Sequence, residues 1–193
     1  VNAYRQSIQP LVDSGKLAMI LFQFPPWFDC QKKNVDTLKF YKKALHDLPL
    51  ALKFRNQSWF TPKYYDRTLA FMEEAGWIHS ICDEPQAGKG SIPTVLHPTN
   101  KEKTLIRFHG RNVHGWNSSG QENWREVRFL YRYNEEELLK WKENILQLQK
   151  KSKDIYIVFN NNSGGDAADN AKELIDMLNI EYEGLAPRQL DLF

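Results

Sequence analysis

Cysteine is scarce in this chain. Cys30 and Cys82 are the only two, and they lie far apart in the sequence. Neither belongs to a CxxC pair or a Cys/His cluster, which argues against a zinc site or a disulfide scaffold and makes a reducing, cytoplasmic setting the expectation. Long apolar runs are missing as well. The longest, Leu17 to Phe24, is broken by Gln23 and falls far short of the roughly 20 residues that span a bilayer. No signal peptide is visible, so no membrane partner is expected. An excess of one charge is also absent. Lys and Arg number 26 against 24 Asp and Glu, a net charge of +2. No global field therefore draws the chain onto nucleic acid, and only a local basic patch stays open. No GxGxxG follows a strand, which disfavours a dinucleotide fold. No HExxH or clustered-histidine spacing exists, and His46, His79, His97 and His114 are scattered. No cofactor is evident, and a divalent metal is left open.

What is present is ordinary for a globular domain and rich in one respect. Hydrophobic residues make up 41% and aromatics 13% of 193 residues, enough for one domain with a substantial core. Short apolar runs alternate with amphipathic stretches. Leu17–Phe22 reads as a buried strand that Pro25 and Pro26 stop. Asn34–Leu48 has helical spacing through Val35, Leu38, Tyr41, Leu45 and Leu48. Leu50–Phe54 is the next strand. Thr61 and Pro62 then make a helix start, and Gly76 closes that helix. Trp77–Cys82, Thr104–Phe108 and Ile155–Phe159 complete a set of five strands. Asn134 and Glu137 form a capping box for a helix running to about Lys150, and a last helix spans about Ala167 to Leu178. A long polar loop lies between Arg111 and Asn134. Strands alternating with helices predict a parallel α/β sheet, open or closed into a barrel. Residues 1–186 read as a single domain and 187–193 as a tail.

The strand ends carry a resemblance. Phe22-Gln23-Phe24-Pro25-Pro26, Phe54-Arg55 with Ser58-Trp59, Asp83 with Pro85, Arg107-Phe108-His109-Gly110-Arg111 and Phe159-Asn160-Asn161 are similar, in order and spacing, to the motifs of the YecE-like family, labelled domain of unknown function seventy-two. The resemblance implies a TIM-type (β/α) barrel of which about five of the eight βα units are present here, with about three strands upstream of Val1. It implies no activity. The family pattern has glutamate and then Phe-Arg-His at the second visible strand, whereas this chain has Lys53 and Asn56, so a glutamate acid or base is not available at that position.

Side chains alternate along a strand, so Lys53 and Arg55 share a face, as do Arg107 and His109. At the carboxyl ends of barrel strands, where catalytic groups gather, Arg55, Arg107 and Arg111 suit an anion. His109 suits a general acid or base, with Asp83 orienting it or acting itself. Gln23, Ser58 and Asn160 supply neutral hydrogen bonds, and Trp59, Trp116 and Trp124 are candidates to roof the site. Gly164 and Gly165, before the last helix, suit a phosphate. Each feature also has a structural reading: polar plugs at a barrel end with Arg55 paired to Asp83 or Glu84, core or rim tryptophans, and an ordinary glycine turn. The leading expectation is a hydrolase or isomerase acting by acid–base chemistry on a phosphorylated or other small anionic substrate. The alternative rests on the tail. Gln189-Leu190-Asp191-Leu192-Phe193 matches the pentapeptide that docks bacterial DNA polymerases and repair proteins on the sliding clamp, with Gln189 as polar anchor and Leu190, Leu192 and Phe193 as apolar contacts.

Overall fold

The computed structural model describes residues 1–88, 91–117, 124–161 and 164–181. Five strands form one parallel sheet in sequence order: β1 (Ile20–Gln23), β2 (Leu50–Lys53), β3 (Ile78–Asp83), β4 (Lys103–Phe108) and β5 (Asp154–Phe159). A doubly wound sheet reverses its order partway; this one does not. The sheet is open among the described residues, with β1 and β5 at its edges. The helices are α1 (Asn2–Asp13), α2 (Lys32–Ala44), α3 (Tyr65–Glu74), α4 (Val113–Trp116), α5 (Trp124–Arg128), α6 (Glu135–Gln149) and α7 (Asp166–Met177), with a 3-10 turn at Gln57–Phe60. No helix among the described residues is long and apolar enough to cross a membrane.

Alternation divides each strand between two environments. Leu50, Leu52 and Phe54 face the helices and pack with Leu38, Leu69 and Met72. Further along the sheet, Ile81, Ile106 and Phe108 pack with Leu138, Trp141, Ile145 and Leu174. Burying each of these aliphatic side chains contributes roughly 2 kcal/mol. On the opposite face Ala51, Ile78 and Leu105 form a smaller cluster with Met19 and Tyr156. Aromatic stacking anchors the first half of the core: Phe54 lies on Trp59 with ring centroids 4.1 Å apart, and Phe24 on Phe28 at 4.0 Å.

The helix ends show which local signals hold. Asn134 accepts from Glu137 N at 2.9 Å while Glu137 Oε2 accepts from Asn134 N at 3.0 Å, the capping box that starts α6. Gly76, at φ +69, ends α3 as expected. The start of α3 differs: the helix begins at Tyr65, with Tyr64 as the residue before it. Thr61, extended at φ −66, ψ 154, accepts at its carbonyl from the Tyr64 and Tyr65 amides, so the turn through Pro62 leads into the helix without belonging to it. α1 is not among the expected elements; it contains Pro10 and buries none of its residues fully, though Ile8 and Val12 pack against the core. The segment expected to be a long polar loop holds α4 and α5.

His79 lies on the helix-facing side of β3, against Phe60 and 2.9 Å from the His97 carbonyl oxygen. Burial pushes its pKa from 6.5 down to about 4. Between those two values the unfolded chain takes up a proton that the folded chain refuses, so this histidine's contribution is intact above pH 6.5 and is lost as the pH falls, by up to about 3 kcal/mol. The stability difference between wild type and His79→Gln, from urea unfolding, is expected to shrink steadily from pH 7 to pH 4.5. A difference that stays constant over that range contradicts the burial of a neutral His79.

Candidate functional site

Residues paired across a parallel sheet point to the same side. Gln23 pairs with Lys53, Cys82 with Arg107, and Arg107 with Val158. Two-residue alternation then adds Arg55, Glu84, His109 and Asn160 to that same face. The outcome is a cleft of about 350 Å³ at the carboxyl ends of the strands. Gln23, Lys53, Arg55, Arg107, His109 and Asn160 line it from the sheet, and Trp116, Trp124, Arg128 and Phe129 from the segment after β4.

Among the described residues the lining holds four cations, Lys53, Arg55, Arg107 and Arg128, and no carboxylate. Arg107 Nη1 donates to Gln23 Oε1 at 3.1 Å. Arg128 stacks over Trp116 at 4.0 Å, a cation–π contact, and its buried Nε has no hydrogen-bond partner among the described residues. Burial, then the charge of Arg55, pulls the Arg128 guanidinium below its ordinary value. The field in the cleft is thus strongly positive and is not cancelled at its walls.

Lys53 and His109 form the floor, each 3% exposed. Lys53 Nζ lies 2.6 Å from His109 Nε2 and donates to Glu84 Oε2 at 3.4 Å. Glu84 is fixed by the Ile92 amide, which donates to Oε1 at 2.8 Å. Burial first, then the charges of Lys53, Arg107, Arg55 and Arg128, drive the His109 pKa far below its ordinary value, so the ring is neutral. An ammonium only donates; Nε2 therefore accepts from Lys53 and the ring proton sits on Nδ1. Asn160 Nδ2 lies 3.1 Å from Nδ1; with the ring proton on Nδ1, the amide is turned about to present its oxygen there.

Cys82, Glu84 and His109 bring one donor atom each within 4.8 Å of one another. Lys53 Nζ also reaches two of the three, Glu84 and His109, and supplies positive charge at that point. Cys82 is buried, and burial raises its thiol pKa, leaving it a poor nucleophile.

The structure gathers Gln23, Arg55, Arg107, His109 and Asn160 into the cleft, with Trp116 and Trp124 among its walls, and places Ser58, Trp59, Asp83, Arg111, Gly164 and Gly165 elsewhere. Asp83 pairs with Phe108 and so points to the helix side, opposite to His109. There it accepts from Arg111 Nη2 at 2.7 Å and from Trp141 Nε1 at 2.5 Å. Arg111 also bonds Glu137, which accepts from Tyr131 OH, so Arg111 is committed to a network binding β3 to α6. Arg55 takes neither of its expected partners, since Asp83 pairs with Arg111 and Glu84 with Lys53. Ser58 Oγ accepts from Cys30 N, and Trp59 is a core residue whose Nε1 donates to the Phe28 carbonyl. Gly164 and Gly165 have φ of +78 and +99 and serve the turn into α7. Arg132 already pairs with Asp166 and Asp169 at that helix start. Gln189 to Phe193 lie outside the described residues. Alternation alone marks Lys53 as a neighbour of Arg55, but nothing in the sequence marks Arg128 or Phe129, which sit in an irregular segment.

The chain belongs to the family described as "Protein of unknown function DUF72", which matches residues 1–191. UPF0759 protein YunF of Bacillus subtilis (strain 168) is 60% identical over all 193 residues, which cover 68% of that relative. A crystal structure of a DUF72 family protein from Enterococcus faecalis V583 superimposes with a TM-score of 0.92 at 40% identity, over 98% of this chain and 69% of that one. The DUF72 family protein of Thermotoga maritima MSB8 gives 0.82 at 32% identity, over 93% and 64% respectively.

Asp83→Asn removes one of the two carboxylates that hold Arg111, and the charge that the Trp141 indole donates to, and is expected to cost about 2 kcal/mol of stability, read by urea unfolding. Anion affinity in the cleft should not change. A folded variant with wild-type stability contradicts the structural role given to Asp83.

Proposed function

We propose that the cleft binds a small, multiply charged organic anion and that the protein acts on it by acid–base chemistry, as an isomerase or hydrolase does. The single observation carrying this reading is the lining itself: four cations face one cavity, with no carboxylate in it among the described residues. Like charges repel at close quarters, and such a set is stabilised when an anion enters. Arg55 makes no hydrogen bond or ion pair among the described residues, and Arg128 keeps an unpartnered Nε; both are ready to donate to carboxylate or phosphate oxygens. A volume of about 350 Å³ sits at the small end of ligand sites. An anion in the cleft offsets the arginine charges that join burial in holding His109 neutral, and His109 then serves as the proton carrier, its ring fixed by Asn160. Roofing by Trp116 and Phe129 lowers the local dielectric and strengthens each ionic contact.

This reading takes the sheet to be part of a TIM-type barrel closed by further strands between β5 and β1. Support comes from the unreversed strand order, from the helices lying on one face, and from the small apolar cluster on the other face. In such a barrel the cleft opens at the catalytic end.

Binding of inorganic phosphate and of phosphorylated three-carbon acids, measured by calorimetry, tests the proposal. Arg107→Ala and Arg55→Ala should each weaken binding by about 10- to 100-fold, the worth of one charge-assisted contact, and wild-type affinity should fall as salt rises. Unchanged affinity in both variants, or no binding of any anion, rules the reading out.

A further inference from the structure

Lys53 does more than an anion site requires. Its side chain is 3% exposed, yet it lines the cleft. Burying an ammonium costs several kcal/mol unless its pairing is good, and the one carboxylate it reaches, Glu84 Oε2, is at 3.4 Å. A plug at this position would be better served by an apolar side chain. A lysine amine at the floor of a cleft, in contact with a histidine nitrogen, suits a different role, attack on a carbonyl carbon.

We propose that Lys53 is a nucleophile that forms an imine with an anionic aldehyde or ketone, a 2-oxo acid or a phosphorylated ketose, whose anionic group is held by Arg55, Arg107 and Arg128. This rests on the anion-binding reading above and names the substrate class. The substrate's anionic group offsets the arginine charges that join burial in holding His109 neutral, and the charge of Lys53 vanishes as its proton leaves; His109 Nε2, 2.6 Å from Nζ, then takes one proton from the ammonium. The freed lone pair forms the C–N bond while the carbonyl π pair moves to oxygen, which receives that proton from His109. The resulting carbinolamine loses its hydroxyl as water, with a second proton that leaves the nitrogen by way of His109. In sum, one carbonyl and one ammonium give one iminium and one water, with no change of oxidation state. The nitrogen is positive at the start and at the end, so Glu84 remains its counterion throughout. The iminium then accepts the electron pair released when a proton leaves the adjacent carbon, the step that an isomerase needs.

The test is reductive trapping on the intact protein. Pyruvate, 2-oxoglutarate or dihydroxyacetone phosphate is incubated with it in cyanoborohydride, and peptides are mapped by mass spectrometry. The expected result is an adduct with the mass of the carbonyl compound less one oxygen, on Lys53, suppressed by inorganic phosphate. His109→Asn should slow its formation by about 100-fold, the worth of a general base. Lys53→Arg keeps the charge beside Glu84 and should abolish the adduct. Lactate and glycerol phosphate, which have the charge but no carbonyl, are titrated in parallel. If these anions bind while Lys53 stays unmodified or the adducts scatter over exposed lysines, the imine is excluded and the anion site stands. If nothing binds and nothing is trapped, both proposals fall.

Discussion

The register of a parallel sheet decides what this protein brings together. Asp83 and Glu84 are neighbours in sequence and work on opposite sides of the sheet. Asp83, level with Phe108, meets Trp141 and Arg111 among the helices. Glu84, one step on, lies under the cleft with Lys53. A slip of one residue would exchange the two faces. It would also carry Leu50, Leu52, Ile106 and Phe108 out of the helical core, at roughly 2 kcal/mol or more for each side chain. The apolar residues of the strands therefore hold the polar ones in place, and the geometry of the site follows from the core.

The two faces also settle their charges differently. On the helix side, Asp83, Arg111, Glu137 and Tyr131 form a closed set in which each carboxylate has a cation or a hydroxyl, and the set ties β3 to α6. On the cleft side, Arg55, Arg107 and Arg128 meet no carboxylate in the lining among the described residues. Glu84, beneath them, is taken up by Lys53 and by the Ile92 amide. Repulsion among these cations is a cost to stability, and the aromatic rings around Arg128 offset part of it through cation–π contact.

Most of the scaffold is legible before any coordinates. Apolar runs find all five strands, because strands buried against helices need such runs, and Asn134 with Glu137 finds the start of α6 because the capping box is local chemistry. The helix α1 is not among the expected elements: its stripe of Tyr4, Ile8 and Val12 is short, only partly buried, and shares the helix with Pro10. Within the site, alternation joins Lys53 to Arg55 and Arg107 to His109. It cannot say which face of β3 matches which face of β4, because register between strands is set by tertiary packing. Asp83 is for that reason easily assigned to His109, whereas Glu84 lies on the cleft side. Arg128 and Phe129 reach the cleft from an irregular segment without periodicity, and Trp59, which resembles a rim residue in sequence, is buried by its stack on Phe54.

The central claim is that one face of the sheet gathers an unopposed set of cations to hold an anion. Crystals of the protein soaked in tungstate, measured at the tungsten absorption edge, test it most directly. The account predicts an anomalous peak within hydrogen-bonding distance of Arg55, Arg107 and Arg128, above Lys53 and His109. A peak at Gly164 and Gly165 before α7, with none in the cleft, would contradict it.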